Sequence, residues 1–398
     1  MSISIDREYL TNTLIDLVKI NSVNPSISPT GAGEAEIASY VARALGDMGL
    51  EASVRAHEAN RASAVGILRG SGGGRSLMLN AHCDTVGVEG MPEPFSAGVR
   101  EGRLYGRGAY DMKGSLAAQM AAAKSLVDAG VMLAGDLVLA AAADEECRSM
   151  GTAGLIKEFP VDAAIVTEPT EFEICVAHKG FAWLEVKTTG LAAHGSRVEE
   201  GVDANMMMGR FLHGLEKLER DLRRREGHPL AGPPSLHAPV IAGGTEPSTY
   251  AAACVLTVER RTVPGETGES VLAELQAIID DLSAADPSFV ATAKATLVRD
   301  PFEVPVTAPV VNALAGATYE VLGRDPVFGG RAWWTDAGLL SAAGVESVVA
   351  GPVGGGPHSL EEWVDLGSLV DFARILAYTA IEYCNSSGSV GPAGGSEE

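Results

Sequence analysis

Apolar and polar positions recur along this chain with two different periods. Residues 6–20 set Leu10, Leu14, Leu17 and Val18 on one stripe of a 3.6-residue repeat, which predicts a helix. Residues 33–48 repeat the pattern with Ile37, Val41 and Leu45, and Gly49 supplies a stop. Short apolar runs at 63–68 and 76–80 read as strands. The Ala-rich stretch 113–128 reads as a helix, 136–143 as a buried strand, 151–158 as a short helix and 162–167 as another strand. Strands alternating with helices predict an α/β layer structure.

The pattern changes after about residue 178. An alternating run at 181–189 is followed by a helix at 203–225, strand-like runs at 236–243 and 253–260, a helix at 268–284 and a run at 288–298. The order β-α-β-β-α-β is that of a ferredoxin-like unit. The expectation is an inserted domain at 180–295, interrupting a discontinuous domain made of 1–179 and 296–398. The chain returns to the first domain with a helix near 307–322, a strand at 346–350 and a helix at 366–383. The Gly- and Ser-rich tail from Asn385 reads as disordered. No internal repeat is present.

Composition narrows the class. A chain of 398 residues exceeds one ordinary core, in keeping with two domains. Against 30 Lys and Arg stand 52 Asp and Glu, a formal charge of −22, which argues against nucleic acid and anionic membranes as partners. The N-terminus lacks a basic start followed by an apolar run, so no secretion signal is read there. No apolar run is long enough to span a bilayer. The cysteines (Cys83, Cys147, Cys175, Cys254, Cys384) are scattered and odd in number, and none forms a Cys-x-x-Cys pair. That pattern speaks against a thiolate zinc site or a disulfide framework and fits a reducing cytoplasm.

Candidate chemistry gathers where apolar runs stop. Leu-Met-Leu-Asn-Ala-His82-Cys-Asp84, Gly-Arg-Gly-Ala-Tyr-Asp111-Met-Lys-Gly, Ala-Ala-Asp-Glu145-Glu146-Cys and Ile-Val-Thr-Glu168-Pro each put polar groups at a strand end or a Gly-rich turn. Strand ends of an open α/β sheet are where ligands bind. His358, in Gly-Gly-Gly-Pro-His-Ser-Leu-Glu-Glu-Trp, completes a set of two imidazoles and several carboxylates, the donor chemistry of a zinc-type site. His82 and Asp84 are two apart on a strand and point to one side. Gly354-Gly355-Gly356 lacks the following Lys-Ser/Thr of a phosphate-binding loop and reads as slack that lets His358 approach.

Together these motifs, in this order, resemble metallopeptidase family M20, which includes acetylornithine deacetylase, succinyl-diaminopimelate desuccinylase, aminoacylases and carboxypeptidases. The resemblance implies a mixed-sheet α/β zinc-peptidase catalytic domain with an inserted ferredoxin-like α+β dimerisation (lid) domain. It implies two divalent metal ions, Zn2+ foremost, with Co2+ or Mn2+ as alternatives. Asp111 would bridge them, His82 and Glu168 would complete one, and Glu146 and His358 the other. Glu145 would be the general base, and Asp84 would fix the His82 imidazole. A cis peptide after Asp111 is a further feature the family implies.

For the substrate, the resemblance implies that Arg261, in Glu-Arg-Arg261-Thr-Val-Pro-Gly-Glu, grips a carboxylate. His194, in Gly-Leu-Ala-Ala-His194-Gly-Ser, would polarise the scissile carbonyl from the other copy of a homodimer. Asn205 would lie near the dimer contact, and Thr335, after Trp333-Trp334, in the stretch lining the site mouth. Ser248 and Ala251 stand where many family members carry Asn and Pro. The implied activity is hydrolysis of an N-acyl amino acid in the manner of acetylornithine deacetylase. A carboxypeptidase or dipeptidase acting on short peptides is the alternative, and a non-catalytic metal- or peptide-binding relative a remoter one.

Overall fold

The computed structural model describes residues 3–387. Of the tail predicted to be disordered from Asn385, the first residues are held in place, Asn385 Oδ1 accepting from Ala134 N at 2.9 Å and Ser387 bridging to Gly74, and the part from residue 388 lies outside the described residues. The chain divides into two compact units. One holds the chain up to Val176, then Val304–Gly329 and the chain from Thr335; the other holds Ala177–Glu303 and Gly330–Trp334.

The first unit is built on a mixed sheet. From its edge the strands run Glu51–Glu58, Arg61–Leu68, Leu137–Ala142, Leu77–His82, Ala163–Val166 and Glu346–Val349. The last four are mutually parallel, and Glu51–Glu58 and Arg61–Leu68 add an antiparallel margin. The parallel strands are buried along nearly their whole length because helices cover both faces of such sheets. Helix Lys113–Asp128 lies against Leu77–His82, with helices Arg7–Lys19 and Leu366–Cys384 beside it. Its run of buried alanines keeps its bulk small, so neighbouring elements can approach closely. Local chemistry sets the helix ends: Asp6 and Asp365 cap N-termini, and Gly323, at φ 65°, ends helix Pro309–Leu322.

Register decides where the functional groups emerge. His82 pairs with Ala142, and Asn80 with Val166, so three parallel strands end at nearly one level. His82, the Asp144–Glu146 turn and Glu168 therefore leave the sheet on the same side, at its carboxyl edge. A separate four-stranded sheet, ordered Gly354–Gly355, Trp363–Asp365, Arg103–Tyr105 and Gly98–Arg100, ties the segment containing His358 to the one leading to Asp111.

The second unit is a four-stranded antiparallel sheet, ordered Ser235–Gly243, Ala253–Thr262, Gly180–Thr189, Ala291–Arg299. Helices Ala204–Arg224 and Gly268–Ala285 complete the β-α-β-β-α-β order. Leu184, Val186, Leu256 and Val258 of the strands meet Phe211, Leu215 and Leu275 of the helices in its core. The expected limits 180–295 are narrower than the unit itself. Strand pairing continues to Arg299, opposite Phe181, and Trp334 is seated by Nε1 donating to the Asp300 carbonyl at 3.1 Å. Among the described residues no helix is long and apolar enough to cross a membrane.

Candidate metal centre

Each metal-type side chain is placed by a specific turn. His82 ends its strand. Asp144 takes φ 70° and turns the chain, presenting Glu145 and Glu146. Both their amides are held by Asp84, which accepts from Glu145 N at 3.1 Å and from Glu146 N at 3.2 Å. Asp111 precedes helix Lys113–Asp128, and its peptide bond to Met112 is cis. His358, at φ 60°, sits in the loop after Gly356.

These turns bring the expected ligands together. Asp111 Oδ1 lies 3.0 Å from His82 Nε2, and its Oδ2 lies 3.2 Å from His358 Nε2. One carboxylate thus faces two imidazoles, one oxygen to each. Glu168 Oε1 approaches His82 Nε2 at 3.9 Å, and Glu146 Oε1 approaches His358 Nε2 at 3.1 Å. Donor atoms of His82, Glu145 and Glu168 fall within 4.8 Å of one another, as do those of His82, Asp111 and Glu146. Glu145 is therefore beside the cluster, not apart from it.

The electrostatics show what this cluster takes. Burial opposes charge on His82, but the hydrogen bond to Asp111 and the nearby charge of Glu168 overcome it and push its pKa well above the usual range. Asp111, then Glu146, raise His358 to about 10. Asp111 itself is held well down: burial opposes its charge, but hydrogen bonds from His358 and His82 prevail. Glu145 and Glu168 are both pushed well up, first by burial and then by neighbouring charge. Acid groups so crowded favour positive charge placed among them. Imidazoles that hold protons against burial here offer the same nitrogens to a divalent cation, and the nitrogen-and-oxygen donor set is the one zinc accepts. The donor set fits divalent cations, with one oxygen of Asp111 facing each imidazole.

A buried polar network lies beneath. Asn24 Nδ2 donates to Asp84 at 2.8 Å and to Asp144 at 3.0 Å. Arg61, 3 % exposed, pairs with Glu34 and Asp144, both fully buried. Asp84 meets the His82 imidazole chiefly through its backbone. The nearest acceptor for His82 Nδ1 is the Asp84 backbone carbonyl at 3.0 Å, while the carboxylate stands 3.6 Å away and holds the Glu145–Glu146 turn. Asp336, accepting from Thr152, adds another buried carboxyl, pushed up to about 6 by burial. None of Asn24, Arg61, Glu34 and Asp336 was legible as a site residue, because each is defined by partners distant in the chain.

Arg261, Asn205 and His194 belong to the second unit. Arg261 donates from Nε to Glu259 at 2.6 Å and stacks over Phe181, while the adjacent Arg260 is fully buried between Glu266 and Glu274. Asn205 is exposed in the first turn of its helix. His194 is exposed, and its Nδ1 accepts from Ser196 N at 3.2 Å, which leaves Nε2 as the protonated nitrogen of the neutral ring. Thr335, in the first unit, needs correction. Its side chain is fully buried and its hydroxyl accepts from Ala337 N at 3.1 Å, just ahead of helix Ala337–Ala342, so it presents no surface to a substrate.

Residues 78–382 match the model of peptidase family M20/M25/M40. The chain belongs to this family. An acetylornithine deacetylase from Myxococcus xanthus is 30% identical over 94% of this chain and 97% of its own length. An N-formyl-4-amino-5-aminomethyl-2-methylpyrimidine deformylase from Halalkalibacterium halodurans is 27% identical over 94% of each. Among solved structures, an aminopeptidase from Bacillus cereus superposes with TM-score 0.77 at 18% identity, covering 96% of this chain and all of its own. A dinuclear metal-binding peptidase of family M20 from Bacillus subtilis superposes with TM-score 0.72 at 16% identity, covering 94% and 97%. As an M20 member the chain is a hydrolase of amide bonds, and its mixed α/β fold is that of the M20 peptidases.

Proposed function

We propose that this M20 hydrolase releases a small acyl group from an N-acyl amino acid or closely related amine, using two divalent cations, zinc foremost. The observation that carries this reading is Asp111 standing between His82 and His358, one oxygen to each, with Glu145 beside them. Both curated relatives described above are deacylases by name, one for acetyl and one for formyl, and each aligns over nearly its whole length. That similarity favours a deacylase over a peptidase, since the solved peptidases share only the fold at such low identity.

In this reading His82, Asp111 and Glu168 would hold one ion, and Asp111, Glu146 and His358 the other. When bound, the pair supplies Lewis acidity that polarises the acyl carbonyl and makes water a stronger acid. Glu145 takes the proton of the attacking water and delivers it to the leaving nitrogen. Arg261 receives the substrate carboxylate in a two-pronged bond, exchanging its half-buried partner Glu259 for it. His194 offers Nε2–H to the carbonyl oxygen as negative charge develops there.

A homodimer accompanies this reading, with His194 serving the opposite copy and Asn205 near the contact. Strand Ser235–Gly243 supports it: it is a sheet edge, and Val240 and Ile241 are 58% and 54% exposed. Exposed apolar edge strands pair with another chain readily. Among the described residues no disulfide joins the cysteines, in keeping with a reducing cytoplasm.

The test is a turnover assay on the purified enzyme across N-acetyl and N-formyl amino acids and amines and a set of dipeptides. The expected result is preferred acyl release, abolished by chelator and restored by Zn2+. Faster cleavage of dipeptides than of every N-acyl compound would overturn the deacylase reading, and chelator-resistant turnover would overturn the metal.

A further inference from the structure

We propose that Glu362 is a positioning residue that aims Asp111 between the two metal sites. The inference rests on the dinuclear reading above.

Glu362 is 1 % exposed. Its Oε1 accepts from Tyr110 N and Asp111 N, each at 2.9 Å. Its Oε2 accepts from Gly108 N at 3.0 Å and Arg107 Nη1 at 2.6 Å. An ionised carboxylate offers about four acceptor positions, and these donors fill them. Glu362 therefore has no oxygen left for a cation or a migrating proton. Its role is to define where the 107–111 loop runs, the Asp111 amide included.

The same contact couples that loop to the one bearing His358. The Glu362 carbonyl accepts from Gly106 N at 3.1 Å, and Arg107 Nη2 donates to the Ser359 carbonyl at 2.9 Å. Arg107 Nε also donates to the Gly87 carbonyl at 3.1 Å, which fixes the guanidinium in its plane. Glu362 and Arg107 thus lock the backbone on either side of the Asp111–His358 contact. A bridging carboxylate must present both oxygens at once, so a small rotation of its backbone harms both metal sites together.

The chemistry demands an acid here. A Gln side chain would turn an NH2 group toward backbone N–H donors that need an acceptor. Aspartate keeps the acceptors but is one methylene short.

Metal affinity of the full-length protein, measured by competition with a chromophoric chelator, tests this. The Co2+ absorption spectrum reports ligand geometry independently of turnover. In Glu362→Gln both sites should weaken by about 10- to 100-fold, the range for partners that orient metal ligands, and the Co2+ bands should shift. Glu362→Asp should lie between Gln and wild type in both readouts. Wild-type affinity and an unchanged Co2+ spectrum in Glu362→Gln would overturn the proposal, whatever happens to thermal stability. If the Gln variant does not fold, the same two readouts on Glu362→Asp decide, and wild-type values there overturn it. Absence of divalent-metal binding by the wild-type protein would instead overturn the dinuclear reading itself.

Discussion

Nε2 of His358 lies 3.1 Å from Oε1 of Glu146, although 212 positions separate the two residues in the chain. Nothing local brings them together. Glu146 is delivered by a sheet strand and His358 by the small second sheet of the same unit. Their contact defines one half of the proposed dinuclear centre, and Asp111 joins it to the other.

Replacing His358 by Ala removes the only imidazole of that half. Metal content per chain should fall from two ions to one, held by His82, Asp111 and Glu168, with turnover lost. Elemental analysis after dialysis measures it, and retention of both ions would remove His358 from the ligand set.

Glu145 is assigned a proton-transfer role and no metal. In Glu145→Gln the metal content should stay at the wild-type value while turnover drops by roughly 10²- to 10⁴-fold, the usual contribution of general acid–base catalysis. Loss of an ion in this variant would make Glu145 a ligand. Near-normal turnover would remove it from the chemistry.

Arg61 supports the Glu145–Glu146 turn through buried Asp144. Arg61→Met would leave buried Glu34 without its cation and buried Asp144 with only Asn24 and the more distant Arg148. Breaking a buried pair in this way costs about 3–5 kcal/mol. Urea unfolding should show a midpoint lowered to match, and a change below about 1 kcal/mol would mean that the network is not carrying the charge of those acids.

His178 gives the stability a pH dependence away from the metal centre. It is fully buried against Phe302, its Nδ1 donates to the Lys179 carbonyl at 3.0 Å, and burial pulls its pKa down to about 4. In the unfolded chain it titrates near ~6.5. Between those values the unfolded state binds the extra proton, so stability is full above about pH 6.5 and falls as the pH drops toward 4, by at most about 3 kcal/mol. In His178→Phe this part of the acid loss should vanish, and unfolding midpoints at pH 4.5 and 7.5 measure it. A gap between wild type and variant that is the same at both pH values would contradict the assignment.

The elements most legible in the sequence were those whose apolar period serves burial directly. The strands near Leu77–His82 and Leu137–Ala142, the helix Lys113–Asp128 and the alternating second unit follow from pattern alone. Strand Glu51–Glu58 escaped because it is a polar margin strand with no fully buried position to set a period. The short strands Gly98–Arg100, Arg103–Tyr105 and Gly354–Gly355 are too brief to carry one. In the site, His82, Asp111, Glu146, Glu168 and His358 stood out because each follows an apolar run or a Gly-rich turn. Glu362 and Arg61 did not, because a buried charge is recognised by its partners, and those lie far off in sequence. Asp84 and Thr335 show the converse: the residue is legible, but only geometry shows that its hydrogen bonds go to backbone amides.

The most direct test is a crystal structure of the protein grown with Zn2+, with anomalous diffraction recorded at the zinc edge. Two anomalous peaks per chain are expected, one touching His82 and Glu168, one touching His358 and Glu146, and both touching Asp111. A single peak, or two that do not share Asp111, would contradict the account.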